Sequence, residues 1–434
     1  MGAAEDTGLT TLSYGFMATD LSSALPAALG GTDPAPAGRI RAGTPAFLRT
    51  ARAMFVAGFA TFSMLYCMQP LMPHLSHEFG LSAGVASGVV SVATGALALT
   101  LIPVSVLADR YGRTAIMNAS IFLSALCTLL AAWTDSFGQL LLLRTLMGVA
   151  AAGLPAVAMA YLAEEMEPAS LGGAIGLYIA GNALGGMCGR FFMALMTEWV
   201  SWRVGVGLLG ALGLLAALEF WRCLPPSRFF SPGRLTPGAV LGALRGHFSD
   251  AGLPWLFAVA FLLMGAFVSL YNYLGYRLAQ APYGLSPGQI GLVFLLYVVG
   301  MWSSTWGGRM ADRFGRRTVL WRMVLLTGAG LLLTLFGPLP LVMAGVGLFT
   351  FGFFASHAVA SSWVGRRALK ARGLASALYL TAYYLGSSLV GSATGPVWTH
   401  HGWSGMVGVL GAILALSLVA GLKLRRLAPL PSGG

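Results

Sequence analysis

From Arg52 onward the chain alternates long apolar runs with short polar breaks. Twelve runs approach the roughly 20 residues that carry a helix across a bilayer. They fall at about 53–73, 84–107, 115–133, 138–162, 170–196, 203–223, 254–276, 288–307, 318–336, 339–364, 374–397 and 403–422. Inside lipid each run must satisfy its own backbone hydrogen bonds, so the expected class is all-α with twelve transmembrane helices. The widest break, 224–252, is more polar and holds Pro225, Pro226, Pro232 and Pro237. It reads as a linker between two six-helix bundles at 49–223 and 253–425, with tails at 1–48 and 426–434. The first tail is rich in Ala, Gly, Pro, Ser and Thr and is expected to be disordered. No basic stretch precedes an apolar core in it, which argues against a cleaved signal peptide.

The breaks themselves repeat. VSVLADRYGR, closing at Arg113, follows the second run, and GGRMADRFGRR, closing at Arg317, follows the eighth. Asp109, Arg110, Gly112 and Arg113 match Asp312, Arg313, Gly315 and Arg316 at an offset of 203 residues. Gly172–Gly185 aligns with Gly373–Gly386 at an offset of 201, keeping Ala174/Ala375, Leu177/Leu378, Tyr178/Tyr379 and Leu184/Leu385. Trp202, Val206, Leu209, Gly210 and Ala211 match Trp403, Val407, Leu410, Gly411 and Ala412 at that same offset. Three matches in one order mark a duplication, so the two bundles are pseudo-symmetric.

Composition agrees with a membrane class: 57% hydrophobic, 9% charged, mean hydropathy +0.77. The net charge of +12 would point to nucleic acid in a soluble protein, but its placement says otherwise. With both termini cytoplasmic, Arg203 and Arg277 fall near the outer face and Arg144 and Arg190 within spans, leaving the other 22 of 26 Lys and Arg inside. The charge is thus a topology signal and an attraction to anionic lipid, and no nucleic-acid partner is expected. Cys67, Cys127, Cys188 and Cys223 sit in or beside apolar runs without CxxC spacing, so neither a disulfide framework nor a metal site is implied. GxSxG, GxxxxGK[ST] and HExxH are all missing, so an enzyme is not expected, nor any cofactor. His74, His77 and Glu78 have helical metal-ligand spacing, but beside Pro73 in an outer loop they carry no metal assignment.

Twelve spans in two halves, with this charged turn after spans two and eight, resemble the major facilitator superfamily. Its turn reads G-x-L-a-D-r-x-G-r-r. Gly308, Asp312, Arg313, Gly315, Arg316 and Arg317 fit, with Met310 for Leu; the first copy keeps Leu107 and departs at Ser105 and Thr114. The resemblance implies a latch at the cytoplasmic face: Asp109 facing the start of span eleven near Gly373, and Arg113 pairing with Glu164 or Glu165. A carboxylate at a helix N-terminus contributes about 0.3–2 kcal/mol, enough to bias a state without locking it. The plainer reading is that these charges only set topology.

An arginine inside a span needs a polar or wet neighbour. Arg144, in a run resembling the span-four motif R-x-x-x-G with Gly148, is expected to face a central cavity or, alternatively, to clamp neighbouring helices. Arg190 lies at similar depth and either faces the cavity or snorkels outward. Gly181, Asn182, Gly185 and Gly186 resemble the span-five antiporter motif G-P-x-x-G-G, with Asn182 for the proline; generic close packing is the competing account. Pro70 and Pro73 resemble the PxxP of exporter branches and kink the end of span one. Tyr66 and Gln69 just below them, with Asn272, Tyr276, His357, Tyr383 and Tyr384, complete the candidate cavity set. His357 offers either a proton relay near neutral pH or a plain interhelical hydrogen bond. Spans one and seven hold no Asp or Glu, which weakens a cationic-drug pump.

The expectation is a monomeric inner-membrane secondary transporter working by alternating access, with a small-molecule substrate and protons as coupling ion. The motifs favour proton-coupled efflux of a drug, siderophore or metabolite. Arg144, Arg190 and the missing buried acids favour import of a small organic anion. A non-transporting receptor or scaffold is the third class.

Overall fold

The computed structural model describes residues 38–230 and 237–427. Of the expected tails, 1–37 and 428–434 lie outside the described residues; 38–48, also expected to be disordered, is ordered instead, with Ile40 bridged to Met166 and a helix starting at Pro45. Among the described residues the chain is helical, with one isolated bridge between Ile40 and Met166.

Ten helices are long and apolar enough to cross a membrane: α1 (Pro45–Phe79), α2 (Ala83–Tyr111), α3 (Arg113–Trp133), α4 (Phe137–Glu165), α5 (Pro168–Trp199), α6 (Trp202–Cys223), α7 (Leu253–Ala279), α8 (Pro287–Phe314), α10 (Leu339–Arg367) and α12 (Gly395–Arg426). Two more, α9 (Arg316–Leu333) and α11 (Arg372–Ala393), complete two bundles of six. These two read as less apolar for different reasons. Arg316, Arg317 and Arg322 load α9 with charge. The tyrosines and serines of α11 give it a polar face that packs inside the molecule, with Tyr384 and Ser387 buried. The linker contains a helix at Pro237–Ser249.

Helix boundaries follow local chemistry. The Thr44 hydroxyl accepts the Phe47 amide at 3.2 Å to start α1, with Pro45 at the first position. Ser286 and Gln289 form a capping box that starts α8. The repeated turns end α2 and α8 on Gly112 (φ 93) and Gly315 (φ 83), a backbone region that a side chain disfavours.

Within each half, glycines seat one helix against another. A Cβ added at Gly185 would stand 2.1 Å from the Phe59 carbonyl oxygen of α1; at Gly386 it would stand 2.0 Å from that of Phe261 in α7. Gly181 and Gly189 meet α1 in the same way, at Phe55 and Ser63. Bringing backbones this close is how helices gain dispersion contact in lipid.

Between the halves, hydrogen bonds gather at one end. The charged turns and the linker mark the basic end of the bundle; the opposite end is the far end. There Ser76 and Tyr276 hydroxyls lie 2.6 Å apart, and Glu198 accepts the Gly288 amide at 2.6 Å. Ser388 donates to the Ser91 carbonyl at 2.7 Å, and Ser392 to the Ser91 hydroxyl at 2.7 Å. The deepest is Thr381 to the Ala98 carbonyl at 3.4 Å. Among the described residues no hydrogen bond or ion pair joins the halves on the basic side of that pair.

Candidate functional site

At the basic end, the two repeated turns form similar ion pairs in different surroundings. Arg113 holds Asp109 at 2.6 Å and Glu164 at 2.9 Å while its guanidinium lies over Phe230. Arg316 holds Asp312 at 2.8 Å, with Arg366 at 3.7 Å from the same oxygen. Arg110 and Arg313 are exposed against Tyr111 and Phe314. Glu165 does not pair with Arg113; its carboxylate accepts the Arg228 and Phe229 amides at 2.7 and 3.0 Å, because α4 ends at Glu165 beside the start of the linker. Asp109 makes no hydrogen bond to the start of α11 among the described residues, since the halves are bonded only toward the far end.

Arg144, expected either to face the cavity or to clamp neighbouring helices, clamps: its hydrogen bonds among the described residues all stay within the first half. The first helical stretch of α1 ends at Tyr66, before a 3-10 turn over Gln69–Leu71 that contains Pro70. The last four carbonyls of a helix lack intrahelical partners. Arg144, 1% exposed, donates Nη1 to Met64 at 2.9 Å, Nη2 to the Leu65 carbonyl and Nε to the Val89 carbonyl of α2 at 3.0 Å. Each of its three nitrogens bonds a backbone carbonyl.

Arg190 does not snorkel. It is 2% exposed and sits where α1, α5, α7 and α8 meet. Nη1 donates to the Gly186 carbonyl one turn earlier on α5, and Nε to the Gln69 side chain, both at 2.5 Å. Gln69 in turn donates to Asn272 of α7 at 2.7 Å, so a hydrogen-bonded chain runs from α5 through α1 into the other half. The guanidinium lies 4.0 Å from the ring centre of Tyr66 and 4.9 Å from that of Tyr297. Such faces stabilise a cation where water is excluded. A narrow crevice lined by Gln69, Pro70, Tyr271, Leu274 and Phe294 adjoins the Gln69–Asn272 pair.

The remaining candidates divide. His357 Nδ1 lies 3.0 Å from the Tyr379 hydroxyl, and its ring centre 4.6 Å from that of Tyr383, which stands perpendicular to Tyr384. Tyr276 belongs to the far-end closure through Ser76 instead of the middle. Gly181 and Gly185 seat α5 on α1, Asn182 lies against Gly58, and Gly186 supplies the carbonyl to Arg190. Sequence reasoning missed Tyr297, Tyr379 and the Ser91–Ser388–Ser392 contact; the serines, spaced by four on α11, were the readable signal.

Comparison with known proteins converges on one family. The sequence model of the Major Facilitator Superfamily matches residues 54–281 and 276–434. The chain belongs to this superfamily. YnfM of Escherichia coli (strain K12), named an inner membrane transport protein, is 45% identical over 387 residues, covering 89% of this chain and 93% of that one. YybF of Bacillus subtilis (strain 168), an uncharacterized MFS-type transporter, is 44% identical over 379 residues, covering 87% and 94%. Among solved structures, a bacterial homolog of the human lysosomal transporter Spinster, inward-facing and unoccupied, superposes with a TM-score of 0.71 at 17% identity, over 89% of this chain and all of that one. The protein is a multi-pass membrane transporter of the major facilitator type.

Proposed function

We propose that this transporter works by alternating access and exchanges protons for a small molecule that leaves the cell. One observation carries the first part: among the described residues, hydrogen bonds between the halves run from the far end no deeper than Thr381 and Ala98, about midway, while each charged turn pairs within its own half. A molecule sealed at one end and unlatched at the other is one of two states that rocking would interconvert. The basic end is the cytoplasmic one in this reading, because most Lys and Arg of the chain cluster there. Closing that end would bring Asp109 to the start of α11, where its carboxylate meets unsatisfied amides. The outward direction rests on the span-one prolines and the span-five glycines, which resemble exporter motifs.

The test uses everted vesicles carrying an imposed pH gradient. Metabolites that accumulate in cells lacking the protein are added one at a time. Efflux by exchange predicts that one of them collapses the gradient in wild-type vesicles and not in vesicles without the protein. Uptake by proton symport is the second reading, favoured by a buried Arg190 with no carboxylate beside it. It predicts depletion of the substrate in wild-type medium and no accumulation in deleted cells.

A further inference from the structure

We infer that Arg190 and the unpartnered polar atoms around it form a binding site for the carboxylate of a small organic acid with an apolar body. The inference rests on the transporter reading and holds for either direction.

The charge is the first argument. Every carboxylate among the described residues is placed elsewhere, at an end of the bundle. Glu78 is taken by Trp202 and Arg203, Asp109 and Glu164 by Arg113, and Glu165 by linker amides. Glu167 faces Arg41, Glu198 holds Gly288, and Glu219, Asp250 and Asp312 pair with Arg52, Arg367 and Arg316; Asp135 is exposed. Arg190 is left with dipoles and ring faces. A buried cation without an anion is costly, and an incoming anion removes that cost.

Unused donors are the second. Arg190 spends Nε and Nη1, leaving Nη2 without a hydrogen-bond partner among the described residues. The Tyr66 and Tyr297 hydroxyls and Asn272 Nδ2 are buried and also lack a partner. The two tyrosine rings flank the guanidinium, and Asn272 is two hydrogen bonds away, through Gln69. Buried donors are normally satisfied, so several around one cation call for an acceptor. A carboxylate offers two oxygens with about four lone-pair sites, matching the planar fork of a guanidinium plus neutral donors.

Surroundings set the rest of the ligand. Phe294, Tyr271 and Phe267 stand in ring contact beside Tyr297. These walls suit an aromatic or aliphatic body. One guanidinium balances one negative charge, and Arg144 is engaged apart from this cluster, on the Met64, Leu65 and Val89 carbonyls. A dianionic phosphate is therefore a poor match.

The experiment titrates the purified full-length protein in detergent, without any gradient, following thermal unfolding and tryptophan fluorescence. The probes are benzoate, 1-naphthoate and octanoate, each beside its primary amide. Saturable binding of at least one acid, with its amide silent, is expected. Arg190→Gln should weaken that acid by about tenfold or more, the loss of a charged hydrogen bond. Tyr297→Phe, which removes one hydroxyl and leaves the ring, should weaken it by about two- to tenfold and decides the matter if Arg190→Gln fails to fold. The proposal is overturned by equal binding of acid and amide, by unaltered acid binding in both variants, or by silence of all three acids. Silence alongside intact proton-coupled flux in vesicles removes this site alone, whereas loss of both removes the transport reading too.

Discussion

The two halves share a backbone plan and differ at the positions that face one another. Gly185 and Gly386 lie 201 residues apart and press on Phe59 and Phe261, themselves 202 apart. Five residues beyond the first glycine stands Arg190; five beyond the second stands Gly391, where an added Cβ would meet Val268 and Asn272. The same offset of 202 sets Pro70 against Asn272 and Arg144 against Val346. Pro70 lies in the break of α1, and Arg144 satisfies the carbonyls the break releases. Helix α7 runs unbroken over Leu253–Ala279, and the fully buried Val346 has nothing to satisfy. One half therefore carries cations and a broken helix, the other an aromatic wall and a whole one. Seats that hold helices together kept their small residues in both copies, while the lining changed chemistry.

Breaking the Arg144 clamp should have the largest effect. Arg144→Ala strands the two buried carbonyls of Met64 and Leu65 and is expected to cost about 3 kcal/mol or more, read as loss of folded protein in detergent and with it of transport. Val346→Ala in the other half removes only apolar volume and should cost about 1–2 kcal/mol. Comparable losses for the two would show that the break in α1 does not need the arginine. Gly185→Ala and Gly386→Ala test the shared plan, since each drives a methyl group into a facing carbonyl. Each should lower stability by about 1–3 kcal/mol and by similar amounts in thermal unfolding; a large difference would end the symmetry of the seats.

The charged turns sharpen the comparison more gently. Asp109 is 14% exposed and Asp312 is 53% exposed at the side chain. Asp109→Asn should slow transport while leaving membrane insertion intact, by up to about thirtyfold for a contact of ~2 kcal/mol. Asp312→Asn should matter less, as exposed pairs contribute about 0–1 kcal/mol. Unchanged turnover in Asp109→Asn would remove the latch. Smallest is the anchor of the linker on the second half. Burial pushes the Asp250 carboxyl up, but bonds from Arg367 and the Leu253 and Gly252 amides outweigh it and hold the carboxyl below the usual carboxylate range. Its stabilisation is then complete above the ordinary carboxylate pKa and lost as pH falls through the lowered one. Hydrogen-exchange protection factors at the Gly252 and Leu253 amides, taken relative to the intrinsic rate at each pH, should fall on acidification in the wild type, and Asp250→Asn should flatten that dependence.

Helix positions, the duplication and the charged turns were legible because lipid permits charge only in narrow places and the repeat doubled each signal. Arg190 was visible as a cation inside an apolar run, but its partners were not. Tyr297 sits in a run where a lining aromatic and a lipid-facing one look alike. The duty of Arg144 could not be read, because backbone carbonyls leave no mark in a sequence. Glu164 and Glu165 are adjacent, and only the end of α4 decides which meets Arg113 and which the linker.

The strap before α1 carries a consequence for biogenesis. Ile40 exchanges backbone hydrogen bonds with Glu165 and Glu167, and the Ala42 amide reaches the Ser170 hydroxyl 128 residues later. While the chain emerges from a ribosome, this segment has no mate until the fourth helix and the turn after it are made. A piece made early must wait for one made later, so the entry to the first bundle is tied down only once the chain has passed its fourth helix.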